Sequence, residues 1–393
     1  MAKISMKARK EITGTQKQSY QKASKKKKGE ILDSVCEMTG LSRDRAARIL
    51  RGEVKPKGQL AQKETRGRKA KYDYSVLNVL KKIWAVMDCA CGKRIAAGMN
   101  DILDAMIRFG EISADKETIK KLREVSPATI DRLLSNTKKQ FTGKGRSTTK
   151  PGTLLKQRIA IRTGTEWDEN RPGFMEIDLV AHCGATTAGE YINTLNVTDV
   201  CTGWTETQGV INKAQKHVFT ALIKIRGRLP FALLGVDSDN GGEFINDQLY
   251  RYCKAEGILF TRSRPYRKND NCYVEQKNYS IVRKHIGYER YESSEALILM
   301  NEYYGYLRLK TNYFMPSLKL ESKRRDGAKI VKKHEKPKTP YQRLLESKHI
   351  SIEQKKELKE MYLKINPVEI TRKMEKILRN LEKEAVVNNR KKV

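Results

Sequence analysis

The sequence contains no apolar run long enough to cross a membrane. A transmembrane helix needs roughly 20 mainly apolar residues in succession, and no such run occurs among the 393 residues. The N-terminal segment is polar and lysine-rich up to the Lys25–Lys28 run, without the apolar stretch of a secretory signal. We therefore expect a protein of the cytoplasm.

Cysteine and histidine are few and irregularly spaced. The seven cysteines are scattered and odd in number, and the five histidines show no paired spacing. Cys89 and Cys91 have no second pair or histidine at zinc-finger distance, and Cys272 has no neighbouring base that would activate it. The pattern is typical of reduced thiols and argues against a disulfide framework, a zinc site and cysteine catalysis.

Acidic residues are also in deficit. Lys and Arg number 80 against 46 Asp and Glu, which gives a net charge of +34 and a pI near 9.8. Such a charge favours polyanionic partners, because each neutralised phosphate releases counterions. A ribosome- or RNA-associated protein would have the same charge. The 38% of hydrophobic residues suffices for two to four domains with cores of their own.

Three acids nevertheless stand in distinctive local settings. Asp178 lies in a predicted strand, Asp239 follows another one directly before a glycine turn, and Glu275 opens an amphipathic segment that predicts a helix. Between Asp239 and Glu275 lie 35 residues. Two carboxylates at strand ends and a third on a helix can converge on two divalent cations, the arrangement used for phosphoryl transfer.

Two further acids compete for these roles. Asp237 lies two residues before Asp239, on the same strand face. We favour Asp239 as the catalytic residue because it immediately precedes Asn-Gly. Glu176 stands in the same relation to Asp178, and we expect it to face solvent or a basic neighbour.

Residues 172–318 resemble the integrase catalytic core of bacterial insertion-sequence transposases and retroviral integrases, with a D, D-x35-E acid pattern. The flanking segments GRKAKYD, SPATIDRLL and KTPYQRLL resemble one insertion-sequence transposase group more loosely. The His-His-Cys-Cys module that precedes the retroviral core is absent, which favours the bacterial branch. The matching positions are Asp178, the turn Asp239-Asn240-Gly241 with Phe244, Pro265-Tyr266, and Glu275 with Asn278.

The resemblance implies a DNA transposase that acts at the bacterial nucleoid. Asp178, Asp239 and Glu275 would hold two Mg²⁺ or Mn²⁺ ions. The partners would be the element's terminal inverted repeats and target DNA, with the protein forming a homo-oligomer on DNA. Many relatives carry a basic residue four or seven positions after the glutamate. Here those positions are Tyr279 and Val282.

The predicted architecture is an α/β ribonuclease-H-like core between helical regions. Its mixed five-stranded sheet has flanking helices, in the order three strands, helix, strand, helix, strand, helix. The predicted strands are Phe174–His182, Tyr191–Thr198, Gly203–Val210, Phe231–Val236 and Ile258–Thr261, and the helices are Ala214–Ile225, Asn246–Ala255, Tyr273–Ile286 and Ser294–Leu307.

Around the core we expect DNA-binding helices on one side and a basic tail on the other. The tail contains two predicted helices, Ile352–Ile365 and Pro367–Glu384, the second with an apolar stripe that would dock on the core or pair with another subunit. The predicted divisions are 1–27 (mobile, basic), 28–55 (helix-turn-helix), 56–72 (linker), 73–141 (second helix-turn-helix), 142–170 (linker), 171–318 (catalytic core) and 319–393 (tail).

Residues for DNA contact are expected from both helix-turn-helix units, the first linker, the loop before Glu275 and the helix that follows it. An ordinary helical hairpin, a solvated linker and a solvated charge run are the alternatives for the first unit, the linker and the loop. The candidates are Arg43, Arg45, Arg48, Arg66, Arg68, Thr129, Arg132, Arg264, Arg267, Lys268, Lys277 and Asn278.

Two other functions remain open from the sequence. One is a DNA-binding regulator derived from a transposase that no longer cuts, which the intact acid triad disfavours. The other is a ribonuclease-H-type nuclease, which the paired helix-turn-helix units and the Asn-Gly turn disfavour.

Overall fold

The computed structural model describes residues 5–53, 71–138, 160–161, 170–239, 241–263, 272–326 and 329–386. The chain forms two compact units, Met1–Lys71 and Tyr72–Val393. No helix in the described ranges is long and apolar enough to cross a bilayer.

The first unit contains three helices: α1 (Met6–Lys22), α2 (Lys25–Thr39) and α3 (Arg43–Arg51). Gly40 ends α2 in the left-handed region with φ +66°, so the turn lies where the sequence predicts it. The expectation that residues 1–27 are mobile is wrong for α1. That helix buries Tyr20 in a small core whose other members are Leu32, Val35, Ala46, Ala47 and Leu50. A single aromatic anchor in a polar helix produces no apolar periodicity, which is why the sequence pattern missed it.

The second unit begins with a helical region in which two consecutive helices are capped by side chains. Asp115 and Ser126 accept hydrogen bonds from the backbone N–H groups of Thr118 and Thr129, and Pro127 occupies the first position of its helix. The helices are α4 (Tyr74–Val86), α5 (Gly92–Arg108), α6 (Lys116–Glu124), α7 (Pro127–Leu133) and α8 (Ser135–Lys138).

The core sheet has the predicted five strands and one short addition. The strands are β1 (Ala160–Ile161), β2 (Phe174–Ala181), β3 (Asn193–Asp199), β4 (Thr205–Val210), β5 (Gly235–Ser238) and β6 (Leu259–Arg262), in the spatial order β1-β6-β5-β2-β3-β4. β2, β3 and β4 pair antiparallel, whereas β5, β6 and β1 extend the sheet in parallel from β2. This mixed topology confirms the predicted ribonuclease-H-like architecture. β1 lies in a segment predicted to be linker.

Helices cover the sheet in the predicted order. They are α9 (Gln215–Arg226), α10 (Asp247–Ala255), α11 (Cys272–Lys277), a π-helical segment (Asn278–Arg283), α12 (Lys284–Ile286) and α13 (Ser294–Phe314). β5 begins four residues later than predicted. Phe231 and Leu233 are buried, but strand pairing starts only at Gly235. An apolar pattern in the sequence indicates which residues are buried and does not indicate which of them form strand hydrogen bonds.

The C-terminal part contains more structure than the two predicted helices. A β-hairpin of β7 (Leu320–Asp326) and β8 (Lys329–His334) and the helix α14 (Pro340–Glu346) precede α15 (Ile352–Lys364) and α16 (Pro367–Lys383). The apolar stripe of α16 packs on α13. Of the two expectations for this stripe, docking on the core and pairing with another subunit, the structure has the first. The buried members of the stripe are Ile370, Met374, Ile377 and Leu381.

Candidate active site

Parallel pairing of β2 with β5 brings the two predicted catalytic aspartates to the same level of the sheet. Glu176 is the partner of Asp237 and Ile177 is the partner of Ser238, so Asp178 on β2 and Asp239, the first residue after β5, come next at the same level. Burial raises the pKa of Asp178 to about 7, and the negative charges of Asp239 and Glu275 add to the shift. The three predicted acids thus lie close enough to interact electrostatically.

Gly241 shapes the turn after β5. Its backbone N–H donates to Oδ1 of Asp239 at 2.9 Å, and burial raises the pKa of this aspartate. A Cβ at position 241 would stand 2.9 Å from Asp239 Oδ1 and 2.7 Å from Cδ of Glu243, which is closer than real Cβ contacts. A larger residue at this position would therefore require the two carboxylates to shift.

Glu243 is a fourth acid that the sequence interpretation did not single out. Its pKa is raised by burial and by the charge of Asp239, while Lys213 opposes the shift. The sequence does show an acid four residues after Asp239, in the same glycine turn. Acids are too common, however, for that spacing alone to predict a functional site.

Glu176 anchors the helix that carries Glu275. It is fully buried, and its Oε2 accepts hydrogen bonds from the backbone N–H groups of Tyr273 at 2.9 Å and Val274 at 3.0 Å. The expectation that Glu176 faces solvent is wrong, because backbone N–H groups at a helix start can satisfy a buried carboxylate. Glu275 itself is exposed in the first turn of α11.

Asp237 occupies a different environment from Asp239. It is fully buried beside Glu176 and accepts a hydrogen bond of 2.5 Å from Thr261 Oγ1 on β6. Asp239 is only half-buried, beyond the last paired residue of β5. Asp237 is therefore an interior residue, whereas Asp239 lies at the end of the strand with part of its surface exposed.

Asn278 lies against Asp178. Its Nδ2 donates to Asp178 Oδ2 at 2.6 Å, and its Oδ1 accepts from Asn196 Nδ2 at 2.8 Å. The sequence predicts DNA contact for Asn278, and in the structure its amide holds the carboxylate of Asp178. The π-helical segment begins at this residue, and such segments are frequent at functional sites.

The basic residues on this helix differ in their surroundings. The Arg283 guanidinium donates to the Ala181 carbonyl at 2.7 Å and covers the Tyr288 ring, and Lys284 donates to the Asp88 carbonyl. Lys277 is half-buried; burial, with smaller contributions from nearby guanidinium groups, lowers its pKa to about 7. Arg283 and Lys284 are therefore engaged within the protein, whereas Lys277 keeps the standing of a predicted DNA-contact residue.

The other DNA-contact candidates are spread over the molecule. On α3, Arg43, Arg45 and Arg48 are exposed, and Arg43 pairs with Asp33. On α7, exposed Arg132 donates to Thr129 Oγ1 at 2.9 Å. Arg66, Arg68, Arg264, Arg267 and Lys268 lie outside the described residues.

The side chains around Asp178 fit a hard divalent cation in their chemistry. Asp178, Asp239 and Glu275 offer only oxygen donors, which Mg²⁺ and Mn²⁺ prefer. Their charges raise the pKa of Asp178, a repulsion that a bound cation would relieve. Across the ranges that the structure covers, however, no group of three or more His, Cys, Asp and Glu side chains is placed so that it could hold a metal ion.

Comparisons with known proteins give one close relative in sequence. The uncharacterized protein y4rM of Sinorhizobium fredii is 36% identical over 342 residues, which cover 87% of this chain and 96% of that protein. No family model matches the chain. Among solved structures, the catalytic core domain of BIV integrase is similar over 45% of this chain and 96% of its own, with 17% identity and a TM-score of 0.29.

Proposed function

We propose that this chain, which belongs to the same family as the y4rM protein of Sinorhizobium fredii, is a DNA transposase. It would bind the terminal repeats of an insertion sequence, nick the 3′ ends and join them to target DNA. The proposal rests on one observation. The parallel pairing of β2 with β5 brings Asp178 and Asp239 to the same level of the sheet, and Glu275 lies close enough to raise the pKa of Asp178.

The chemistry proposed is two successive phosphoryl transfers. Water attacks the phosphodiester at the element's end, the bond from phosphorus to the 3′ oxygen breaks, and a 3′-OH is released. That hydroxyl then attacks a target phosphodiester, so one P–O bond forms as another breaks and no covalent protein intermediate is needed. Two Mg²⁺ or Mn²⁺ ions, when bound, would supply charge neutralisation and activation of the attacking oxygen.

The protein's own residues would hold the reacting groups in position. Asp178, Asp239 and Glu275 would hold the ions. Asn278 would keep the Asp178 carboxylate oriented, and Glu176 would hold the start of the Glu275 helix against the sheet. A rigid arrangement of this kind lowers a barrier by removing the need to reorganise during reaction.

The remainder of the chain would provide DNA binding. α3 presents three exposed arginines, and the exposed Arg132 lies on α7 after a well-capped turn. The net charge of +34 would supply sequence-independent affinity. Because two ends of an element must be joined, we propose that the protein acts as a homo-oligomer on DNA.

The test uses a labelled duplex that carries the element's end. We expect nicking and strand transfer with Mg²⁺ or Mn²⁺, DNA binding alone with Ca²⁺, and no reaction in excess chelator. Asp178→Asn and Glu275→Gln should abolish both reactions and leave end binding intact. Full activity of either variant, or activity in chelator, would refute the proposal.

A non-cutting DNA-binding regulator is the second candidate. It is favoured by the finding that, within the described ranges, no acid cluster is placed to hold a metal ion. In the same assay a regulator would bind the element's end with unchanged affinity in all three metals and would never nick it.

A further inference from the structure

A cavity of 310 Å³ lies beside the helix that carries Glu275. Tyr273 and Lys277 of α11 line it, together with Thr198 near the end of β3. Thr198 is the cross-strand partner of Glu176, so the cavity shares the sheet face on which Glu176 anchors α11. The opposite wall belongs to the C-terminal part of the chain.

That wall is basic. It includes Lys319, His334 and the nearly buried Arg343. Among the described residues that line the cavity there is no aspartate or glutamate. The cavity therefore combines the basic side chains of Lys277, Lys319 and Arg343 with hydroxyl groups, and its described lining contains no carboxylate.

Ion pairs balance this charge only in part. Glu335 lies outside the cavity lining and pairs with Arg343 at 2.5 Å. The nearby guanidinium group of Arg94 donates to the Pro316 carbonyl at 2.5 Å and has a backbone partner, not a carboxylate, in this contact. Lys319 donates to the Cys201 carbonyl. Among the residues that the structure describes, none forms an ion pair or a hydrogen bond with the ammonium group of Lys277. A half-buried ammonium group in this position costs free energy unless an anion meets it.

We propose that this cavity binds a phosphate group of the DNA backbone close to the site of cutting, with Lys277 and Lys319 as its main ligands. The inference rests on the proposed function for the identity of the anion. Lys277 lies two residues beyond Glu275 on one helix, so a phosphate held there is tied rigidly to the catalytic carboxylates. The C-terminal part would thereby become a component of the DNA-binding surface rather than a mere buttress of the core.

The test measures DNA affinity across a salt series for Lys277→Gln, Lys319→Gln and a matched control, Lys359→Gln, which neutralises an exposed lysine on α15. One lost phosphate contact should weaken binding about eightfold at roughly 0.1 M salt and lower the slope of log K against log salt by about 0.9. We expect these effects in both cavity variants and no change in the control. Lys319→Arg keeps the positive charge, so it should retain part of the DNA affinity that Lys319→Gln loses.

Thermal melting separates a lost contact from a lost fold. Lys277→Gln removes a half-buried charge and keeps a polar side chain, so this variant should melt at or above the wild-type temperature while binding DNA more weakly. If both cavity variants bind like Lys359→Gln while wild type still nicks DNA with Mg²⁺, the cavity assignment fails and the proposed function stands. If wild type neither binds nor nicks DNA, both fail.

Discussion

The side-chain amide of Asn278 donates a hydrogen bond of 2.6 Å to Oδ2 of Asp178. Asn278 is held in turn by Asn196, which lies on β3 directly beside Asp178. The carboxylate, its hydrogen-bond donor and the residue that orients the donor therefore belong to three separate elements. This arrangement makes the orientation of Asp178 depend on tertiary structure.

Asn278→Ala should lower the nicking rate or the apparent affinity for Mg²⁺ by about 10- to 100-fold, the usual cost of losing a partner of a metal ligand. The measurement is the nicking rate as a function of Mg²⁺ concentration. Ser280→Ala is the control, because the one hydrogen bond of the Ser280 hydroxyl among the described residues goes to the Gln276 carbonyl, one turn earlier. Equal Mg²⁺ dependence in the two variants would remove Asn278 from the site.

Glu176→Ala should reduce both stability and activity. It leaves two backbone N–H groups at the start of α11 without their buried acceptor, at about 1–3 kcal/mol for each unsatisfied group. Denaturant unfolding and the nicking rate are the two measurements. Glu360→Ala, at an exposed position on α15, should change neither. A Glu176→Ala protein with wild-type stability and activity would contradict the anchoring role.

Asp239→Asn should abolish nicking without weakening binding to the element's end. Asp237→Asn should retain measurable nicking but unfold more easily, because Asp237 is buried and bonded to Thr261. Nicking assays and thermal melts of both variants decide the matter. The opposite pattern would move the catalytic assignment by two residues.

The pH dependence of stability should report buried His182. Burial lowers its pKa to about 3 in the folded protein, from an ordinary value near 6.5. As pH falls below 6.5 only the unfolded chain takes up this proton, so the folded state loses stability. Between pH 7 and pH 5 the expected loss is about 2 kcal/mol.

His182→Gln should make the decline in the free energy of unfolding shallower by about that amount. His349→Gln, at an exposed position, should leave the slope unchanged. Denaturant titrations at several pH values provide the comparison. Identical slopes for wild type and His182→Gln would show that His182 is protonated in the folded protein.

Short-range signals in the sequence predicted much of this protein. The order of strands and helices in the core follows from apolar periodicity, and the starts of α7 and α16 follow from Ser126-Pro127 and Asn366-Pro367. The same local pattern placed Asp178 within a strand, Asp239 just after one and Glu275 at a helix start. These features depend on residues within a few positions of one another, so a single sequence contains them.

Tertiary structure alone decided how those residues are supported. The buried acceptor that holds α11 is Glu176, nearly a hundred positions earlier in the chain, and Asn278 turns toward Asp178 across a similar separation. The docking of α16 on α13 likewise depends on which apolar stripes meet. Strand register and long-range hydrogen bonds leave no local periodicity, because a carboxylate or amide has the same sequence signature whether it faces water or the start of a distant helix.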